Sequence, residues 1–572
     1  MPWADLTTSW VDAYSQIISI INKDTEETQY NSFILDNHTA QSLSICVSQT
    51  EILKDSVFSS YHIDKIPQED LIHLRAIVLI RPTPENLTLL RGELTNPKFK
   101  DYFIFFTNRV PGEEYLERLA HADTKELVRY VGEVYIDFMP VNDTLFDLAV
   151  HQKKLKYDGD DLKDIAERLS SVLIAQGRRP VIHYIDACEQ TKRLAVRLDS
   201  IFQSLKLPDS VTLRPCNLVL VDRAEDPLTP LTVNWTFQAL VHEVCTVSAG
   251  RAMNVAKEGE PVEAVPFAWT MDEYAKLAFQ DYGEASRMIG QMCRTKIDNR
   301  QSVMQLQGAD LSAYRNFIDK MPETLRYETA VDNYFKVHGA LNPAFKKKSM
   351  YEWSRWQQDV LTGAMKAGSA TASFIAKLNP ATEDNLEMAL KAAALFAVKF
   401  QKGESEPPLK DVTKLMRELC NSGVSIRELD FISKAFNYGQ NKNRFLTGGK
   451  NSQPVYPPGM VDNELMKAPP LLTKLMQALA RHQQGDVQWI RGKGGAGFFQ
   501  TIRDEDTVDG DACIFILGGV TFAEAATARL FNRQLGSRLM IGGNVVHNTD
   551  SFCAALSQLP NSEAVHVGEL LG

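Results

Sequence analysis

No two of the eight cysteines, at positions 46, 188, 216, 245, 293, 420, 513 and 553, form a CxxC pair, and none stands with histidine at zinc-ligand spacing. The pattern excludes a disulfide framework and a zinc module. Thiols inside apolar runs, such as Cys513 in ACIFIL, read as small buried hydrophobes in a reducing compartment. Long apolar runs are missing too. AAALFAV, from Ala392 to Val398, is seven residues between Lys391 and Lys399, whereas a membrane-spanning helix needs about 20. Positive charge is short: 62 basic against 72 acidic residues give a net charge of −10, which argues against a generally basic surface for nucleic acid or anionic lipid. The first residues, MPWADLTTSWVDAYSQIISIINK, have no basic n-region and are interrupted by Asp5 and Asp12, so no signal peptide is expected.

Catalytic constellations are equally scarce. The run NLVLVD, Asn217 to Asp222, reads as a strand buried on both faces of a parallel sheet, and its carboxyl end is where an α/β enzyme would keep its chemistry. Arg223, Glu225 and Asp226 crowd that end, Pro227 and Pro230 delay any helix, and WTFQAL resumes at helical spacing, yet no nucleophile with a base is present. A magnesium-dependent role for Asp222 lacks the second carboxylate two residues on, where Ala224 stands. The simpler expectation is that Asp222, Arg223 and Asp226 tie the turn together with charge-assisted hydrogen bonds. Gly492 to Gly497 satisfies G-x-G-x-x-G, but FFQTIRDEDTVDGD after it has no helical stripe to receive a pyrophosphate. TGGK at 447–450 lacks the spacing and the Ser/Thr of a phosphate loop. His547, Asn548 and Asp550 lack a third metal ligand and read as a surface turn, and Lys346, Lys347 and Lys348 read as a solvated loop at a hairpin tip. No cofactor and no metal is expected.

What is present is a chain of 572 residues, 44 % hydrophobic and 23 % charged, which is ordinary for globular protein and too long for one core. Trp10, Ala13, Tyr14, Ile17, Ile18 and Ile21 share one helical face and are expected to pack into the core rather than lie on a membrane. From Asn31 to Val150 apolar strands alternate with helices: SFILD, a strand at SLSICVS, a helix at Gln68 to His73, RAIVLI, a helix near Glu85 to Leu94, DYFIFFTN, a helix from Thr124 to Gly132, and the strand VYIDFM. This predicts a parallel α/β domain over 1–150. RRPVIHYI, a helix from Glu189 to Leu205 and NLVLVD find their companions far downstream in ACIFILGG, the helix from Phe522 to Phe531 and SRLMIGG. A discontinuous α/β domain, 151–245 plus 481–572, follows. The part between, 246–480, is rich in helical periodicity. Tyr327, Val331, Tyr334, Phe335 and His338, then Trp353, Trp356 and Val360 after a break at Asn342-Pro343, predict an αα-hairpin over 319–360. Loops are expected at Gly403 to Pro408 and Thr447 to Gly459.

The DR, D, TPL and WTFQAL after Asn217, HLRAIVLIRPTPENLTLLRGELTNPKFKDYFIFFTN from His73 and IFILGGVTFAEAATARLFN from Ile514 resemble the SM (Sec/Munc-type) proteins, cytosolic regulators that bind SNAREs during vesicle fusion. RPTPEN and IGGNVVHNTDSF look most like the vacuolar-protein-sorting branch of the trans-Golgi network and endosomes; the plasma-membrane secretion branch is the alternative. The resemblance implies a three-domain arch, α/β plus α, that works without covalent chemistry as a monomer and reaches membranes only through partners. It implies that a syntaxin N-terminal peptide docks on the outside of domain 1 at Leu116, Leu119, Val128, Val131 and Glu133, and that syntaxin helices lie in a central cleft near Ser48 and Tyr61. Open syntaxin is the safer partner, since those two positions depart from the charged residues of the neuronal branch. The hairpin, with Tyr334, His338, Pro343 and Trp353, would receive the vesicle SNARE and the assembled bundle, Pro343 setting whether its tip is folded back or extended. Readings from other classes are a nucleotide-binding enzyme using Gly492 to Gly497 and a tether without SNARE binding.

Overall fold

Leu6, Trp10, Tyr14, Ile17, Ile18 and Ile21 are buried along one side of helix α1 (Leu6–Lys23), so the amphipathic stripe is core, and the indole N–H of Trp10 donates to the carbonyl of Phe138 at 3.0 Å. The computed structural model describes residues 3, 5–23, 29–185, 188–205, 212–256, 261–267, 272–304, 311–379, 382–400, 407–438, 456, 461, 463–482, 499–502 and 511–560. After α1 come β1 (Asn31–Leu35), α2 (Asn37–Cys46), α3 (Gln49–Lys54), β2 (Val57–His62), β3 (Arg75–Ile80), α4 (Pro84–Thr95), β4 (Tyr102–Phe106), α5 (Glu113–Ala122) and β5 (Val128–Glu133). They form a five-stranded, wholly parallel sheet in the order β2-β1-β3-β4-β5. The three central strands are buried throughout because both faces are covered: Phe33, Ile77 and Phe103 belong to one core, Ile34, Val78 and Ile104 to another.

Four sequence expectations fail in this region. SLSICVS lies within α2 rather than in a strand, because Asp36 at the end of β1 closes a capping box with Thr39 and turns the chain at once into a helix. Gln68 to His73 form no helix; that segment holds only an isolated bridge from Leu71 to Phe99. The stretch read as a helix from Thr124 supplies β5 instead, and most of VYIDFM is irregular.

The chain then lays down β6 (Met139–Pro140), β7 (Leu145–Asp147), α6 (Gly159–Ala175), β8 (Arg178–Ile185), α7 (Glu189–Ser204), β9 (Arg214–Asp222) and α8 (Phe237–Cys245). A small antiparallel sheet, β10 (Val247–Ser248), β11 (Arg251–Val255) and β12 (Glu263–Pro266), opens the middle region, which the periodicity alone described as helical. Nine helices follow among the described residues: α9 (Asp272–Leu277), α10 (Tyr282–Met304), α11 (Leu311–Lys347), α12 (Met350–Thr362), α13 (Ala367–Lys377), α14 (Glu383–Lys399), α15 (Pro407–Asn421), α16 (Ile426–Tyr438) and α17 (Thr473–His482). The chain returns through β13 (Phe499–Thr501), β14 (Ala512–Leu517), β15 (Val520–Thr521), α18 (Phe522–Leu535), β16 (Leu539–Gly543), β17 (Val546–His547) and α19 (Thr549–Ser557).

The second large sheet runs β13-β8-β9-β14-β16-β7-β6, with Ile514 of β14 opposite Val219 of β9. Strands separated by the whole middle region are thus neighbours at its centre. Its far edge is built from β6 and β7, so residues 139–147 belong with the second sheet although the sequence places them in the first unit. His547 and Asn548 are buried, not a surface turn: Asn548 caps α19, and His547 donates from Nε2 to the carbonyl of Gly518 and shares a hydrogen bond between Nδ1 and the Ser551 hydroxyl. The glycine-rich Gly492 to Gly497, TGGK at 447–450 and most of the two expected loops at 403–408 and 447–459 lie outside the described residues.

Candidate partner-binding site

A β-bulge decides which side chains β5 shows. Val128 stands opposite Tyr102, but Tyr130 stands opposite Phe103, so Arg129 is the extra residue. Strict alternation would send Val128 and Val131 to opposite faces. With the bulge, Val128, Val131 and Glu133 stand opposite Tyr102, Ile104 and Phe106, all on the face covered by α4 and α5, while Tyr130 turns to the other core. Leu119 of α5 is buried in that same core and Val128 packs against it. Leu116 and Val131 remain exposed, at 39 % and 48 %. The five expected residues therefore lie on α5 and on the face of the edge strand that α4 and α5 cover, with Leu119 and Val128 in one core and Leu116 and Val131 exposed. Glu133 sits at its end, accepting from the N–H of Val110 at 3.0 Å and the hydroxyl of Tyr135 at 3.0 Å. One carboxylate oxygen has room for a further donor.

The opposite edge of the sheet carries a second bulge. Val57 pairs with Asn31 and Ser59 with Ser32, leaving Phe58 as the extra residue. Phe58 projects to solvent at 56 % exposure, edge-to-face with Tyr30 at 4.9 Å between ring centroids, and Leu53 of α3 is exposed as well. Ser48, expected to face the cleft, caps α3: it binds Glu51 through its N–H and hydroxyl, and these bonds hold the Glu51 carboxyl below its usual range. Arg326 of α11 adds to that effect, which puts its charge within electrostatic reach of α3. Met321 and Leu325 are exposed beside Arg326. Tyr61, the second expected cleft residue, turns the other way, half-buried with its ring 6.1 Å from Phe99. Tyr30, Leu53 and Phe58 were not singled out from the sequence; only an unpaired aromatic in a strand-length segment hinted at them.

The hairpin is not where the proline placed it. α11 runs unbroken through Pro343 to Lys347, and the reversal comes at Ser349, whose φ is 48°. The long antiparallel pair is α10 with α11, tied by Lys296–Asp332 and by Arg300–Glu328 at 2.7 Å; residues 305–310 between them lie outside the described residues. Lys347 and Lys348 stand at that reversal between α11 and α12 and pair with Asp384 and Glu387 of α14. Tyr334 and Trp353 are core, the latter donating to Asn385 at 2.7 Å, so neither offers a surface to a partner. His338 lies between α10 and α11, stacked on Tyr282 and bonded to Ser286 at 2.9 Å, with burial lowering its pKa. Pro343 is exposed on the side of α11 where its missing N–H leaves a carbonyl to water.

At the carboxyl end of β9 every charged group is occupied. Asp222 accepts from the N–H of Ala224 at 2.8 Å and from Cys188 and Gln190, and burial raises its carboxyl. Arg223 grips Glu524 of α18 with two bonds of 2.9 and 3.0 Å and donates to the carbonyl of Asp226 at 2.9 Å. Asp226 in turn receives the N–H of Thr229 and of Leu471. This is a clamp joining the two halves of the second sheet's unit to the helical region. Among the described residues no group of three potential metal ligands occurs, and no helix is long and apolar enough to cross a membrane.

Comparison with known proteins gives the same picture along the whole length. The vacuolar protein sorting-associated protein 45 of Dictyostelium discoideum is 25 % identical over 96 % of this chain and 97 % of its own, and the human protein of that name is 27 % identical over 91 % of each. Among solved structures, the SM protein Vps45 in complex with the Qa SNARE Tlg2 superposes with a TM-score of 0.82 at 23 % identity, covering 99 % of both chains. Sly1p in complex with an N-terminal peptide of Sed5p gives 0.76 at 16 % identity over 97 % of this chain and 98 % of that one. The α/β plus α architecture is therefore the three-domain arch of those proteins. The profile of the Sec1 family matches residues 31–555, and the chain belongs to the Sec1 family.

Proposed function

We propose that this chain regulates SNARE-mediated vesicle docking and fusion in transport among the trans-Golgi network, endosomes and vacuole or lysosome, acting from the cytoplasm as a monomer without covalent chemistry. A syntaxin-type SNARE is held twice: its N-terminal segment in the groove of α5 and β5, its helical part in the cleft between α3 and α11. Exposed apolar residues on both cleft walls, Leu53 and Phe58 on one and Met321 and Leu325 on the other, with Glu51 and Arg326 between them, suit the apolar stripe and charged flanks of a coiled-coil helix. The vesicle SNARE and the assembled bundle add to the outer face of the α10–α11 pair, where Ile297 and Phe335 are exposed. Holding helices in register lowers the entropy lost at nucleation and rejects those that fit poorly. We place the hand-over from first to second unit at 134–138, between the last strand of one sheet and the first of the other.

The observation that carries this reading is the bulged edge strand, which turns two valines and one carboxylate, Val128, Val131 and Glu133, to the face covered by α5 in a chain similar along its length to proteins solved with a Qa SNARE or its N-terminal peptide. One leucine or phenylalanine anchor buried there contributes roughly 2 kcal/mol, so several are needed for micromolar affinity, about −8 kcal/mol. Calorimetry against syntaxin N-terminal peptides tests it. Val131→Arg places a charge at an exposed groove position and is expected to abolish binding with the melting temperature unchanged within a few degrees. Intact binding in that variant sinks the assignment.

A further inference from the structure

A cavity of about 240 Å³ lies where the first sheet's helices, the second sheet and the middle region meet. Its walls come from Ile45 of α2, Met139 of β6, Phe522 of α18, Val546 of β17 and Phe267 and Tyr274 of the middle region, so they are mainly apolar and aromatic. Volume on this scale holds a ligand of roughly ten non-hydrogen atoms. Three non-glycine residues with positive φ line it: Ala149 at 54°, Thr246 at 58° and Ala249 at 48°. A β-branched Thr246 in that conformation is strained, and strain of this kind persists where surrounding packing imposes it, commonly at binding sites.

Two acceptors in this wall lack what would satisfy them. Asp147, at the end of β7, accepts from the N–H of Ala149 at 2.7 Å and from the N–H of Val546, and among the described residues no lysine, arginine or histidine pairs with it. It is partly accessible although protein surrounds it, in keeping with an open side toward the cavity. Gln238 of α8 is buried, its side chain hydrogen-bonded to the Tyr274 hydroxyl and its Oε1 without a partner of its own among the described residues. His242 offers no positive charge, since its Nδ1 accepts from Val247 and burial lowers its pKa to about 4. The one cation on the lining is Lys153, exposed and unpaired with Asp147. An apolar chamber with an unneutralised carboxyl and a spare carbonyl selects a donor-rich cation on an apolar stem. We propose that this junction cavity binds a primary ammonium group on a short aliphatic stem, from a free amine or a lysine side chain of a partner, with the ammonium on Asp147.

Thermal-shift and calorimetric titration of the full chain at pH 8 tests the proposal with n-butylamine, its neutral counterpart n-butanol, and N-acetyl-lysine methylamide. Butylamine is expected to raise the melting temperature saturably and butanol to leave it unchanged. Asp147→Asn is expected to weaken binding at least tenfold, and Asp147→Glu to retain part of it. Ala554→Trp, at an exposed position of α19 on the cavity lining, is expected to block entry without disturbing the fold, and Lys153→Ala to tighten binding by removing a like charge. Binding by the lysine derivative alone points to a partner's side chain, and binding by butylamine alone to a free amine. The proposal is overturned by an equal response to butanol, by unchanged affinity in both Asp147→Asn and Ala554→Trp, or by no saturable binding of either amine.

Discussion

Arg223→Met is the perturbation whose size the structure sets most closely. The guanidinium is buried, bonded twice to a buried Glu524, and lies 3.3 Å from the carboxylate of a buried Asp226. Methionine fills the same volume but leaves two carboxylates in the interior without their cation. Breaking a buried pair on one side costs about 3–5 kcal/mol, a large share of the roughly 5–15 kcal/mol that holds a domain folded. The loss depends on pH. Burial already raises the Glu524 carboxyl, and Arg223 is what lowers it. In the variant the folded-state pKa lies further above the unfolded value, so the folded form takes up protons more readily and stability falls as pH rises through that interval. The melting transition of the unit holding β9 and α18 is expected to drop by about 10 °C at pH 8, and by clearly less near pH 5. Adding Glu524→Leu should return more than half of the loss, because an apolar replacement removes the stranded charge. Scanning calorimetry of the two variants at both pH values decides it. A single variant that melts with the wild type at pH 8, or a double variant no better than the single, refutes the clamp.

Burial raises the carboxyl of Asp147 from 3.8 to about 7. The folded state therefore holds the proton over that interval, and its stability declines from pH 4 to pH 7 by at most about 4 kcal/mol. Asp147→Asn is expected to raise stability at pH 8 and leave it unchanged near pH 4, which urea titration at the two pH values checks. Trp353→Ala removes a fully buried indole and strands Asn385, so a loss of about 3–5 kcal/mol is expected in denaturant titration, with any SNARE-binding deficit explained by unfolding alone. Phe58→Ser changes an exposed side chain of the cleft wall and is expected to leave the melting temperature within a degree or two while weakening binding of a syntaxin helical core at least fivefold by calorimetry; unaltered affinity removes that wall from the cleft.

Much of this architecture is legible in the sequence because the physical signals agree. RAIVLI and ACIFIL are uniformly apolar because both faces of their sheets are covered, and Arg75–Ile80 and Ala512–Leu517 are central strands. Errors arise where local signals conflict. In SLSICVS alternate residues are apolar, as in a strand, yet Leu43 and Cys46 are three apart and both buried on α2, and Asp36 with Thr39 starts that helix. Pro343 is a helix breaker in isolation, but α11 is held on both sides of it, by His338 stacked on Tyr282 and Phe345 against Trp235. The aromatic wealth of Tyr334, Trp353 and Trp356 reads equally as core or as docking surface, and only packing settles it as core, of Trp353 and Trp356 against α14 and α13 and of Tyr334 against Phe267 and Tyr274. The groove residues were legible through family resemblance alone, since Val128 and Val131 have the spacing of a helix and the wrong parity for one face of a strand.

That parity bears on how a partner is recognised. β5 is an edge strand, and a bare edge invites another strand to pair with it. The bulge at Arg129 breaks the regular spacing of the free backbone groups, and charged Arg129 and Glu133 flank the exposed Val131, all of which disfavours strand addition. The same extra residue turns Val131 toward α5. One local irregularity therefore both protects the edge and sets the proposed groove, in which an incoming segment would be read by side chains of α5 and β5 rather than by a backbone ladder. Phe58 at the opposite edge follows the same logic, turned out to solvent by its own bulge. The two faces proposed for partners thus come from departures from regular pairing at the two edges of one parallel sheet, while its three central strands are regular and buried.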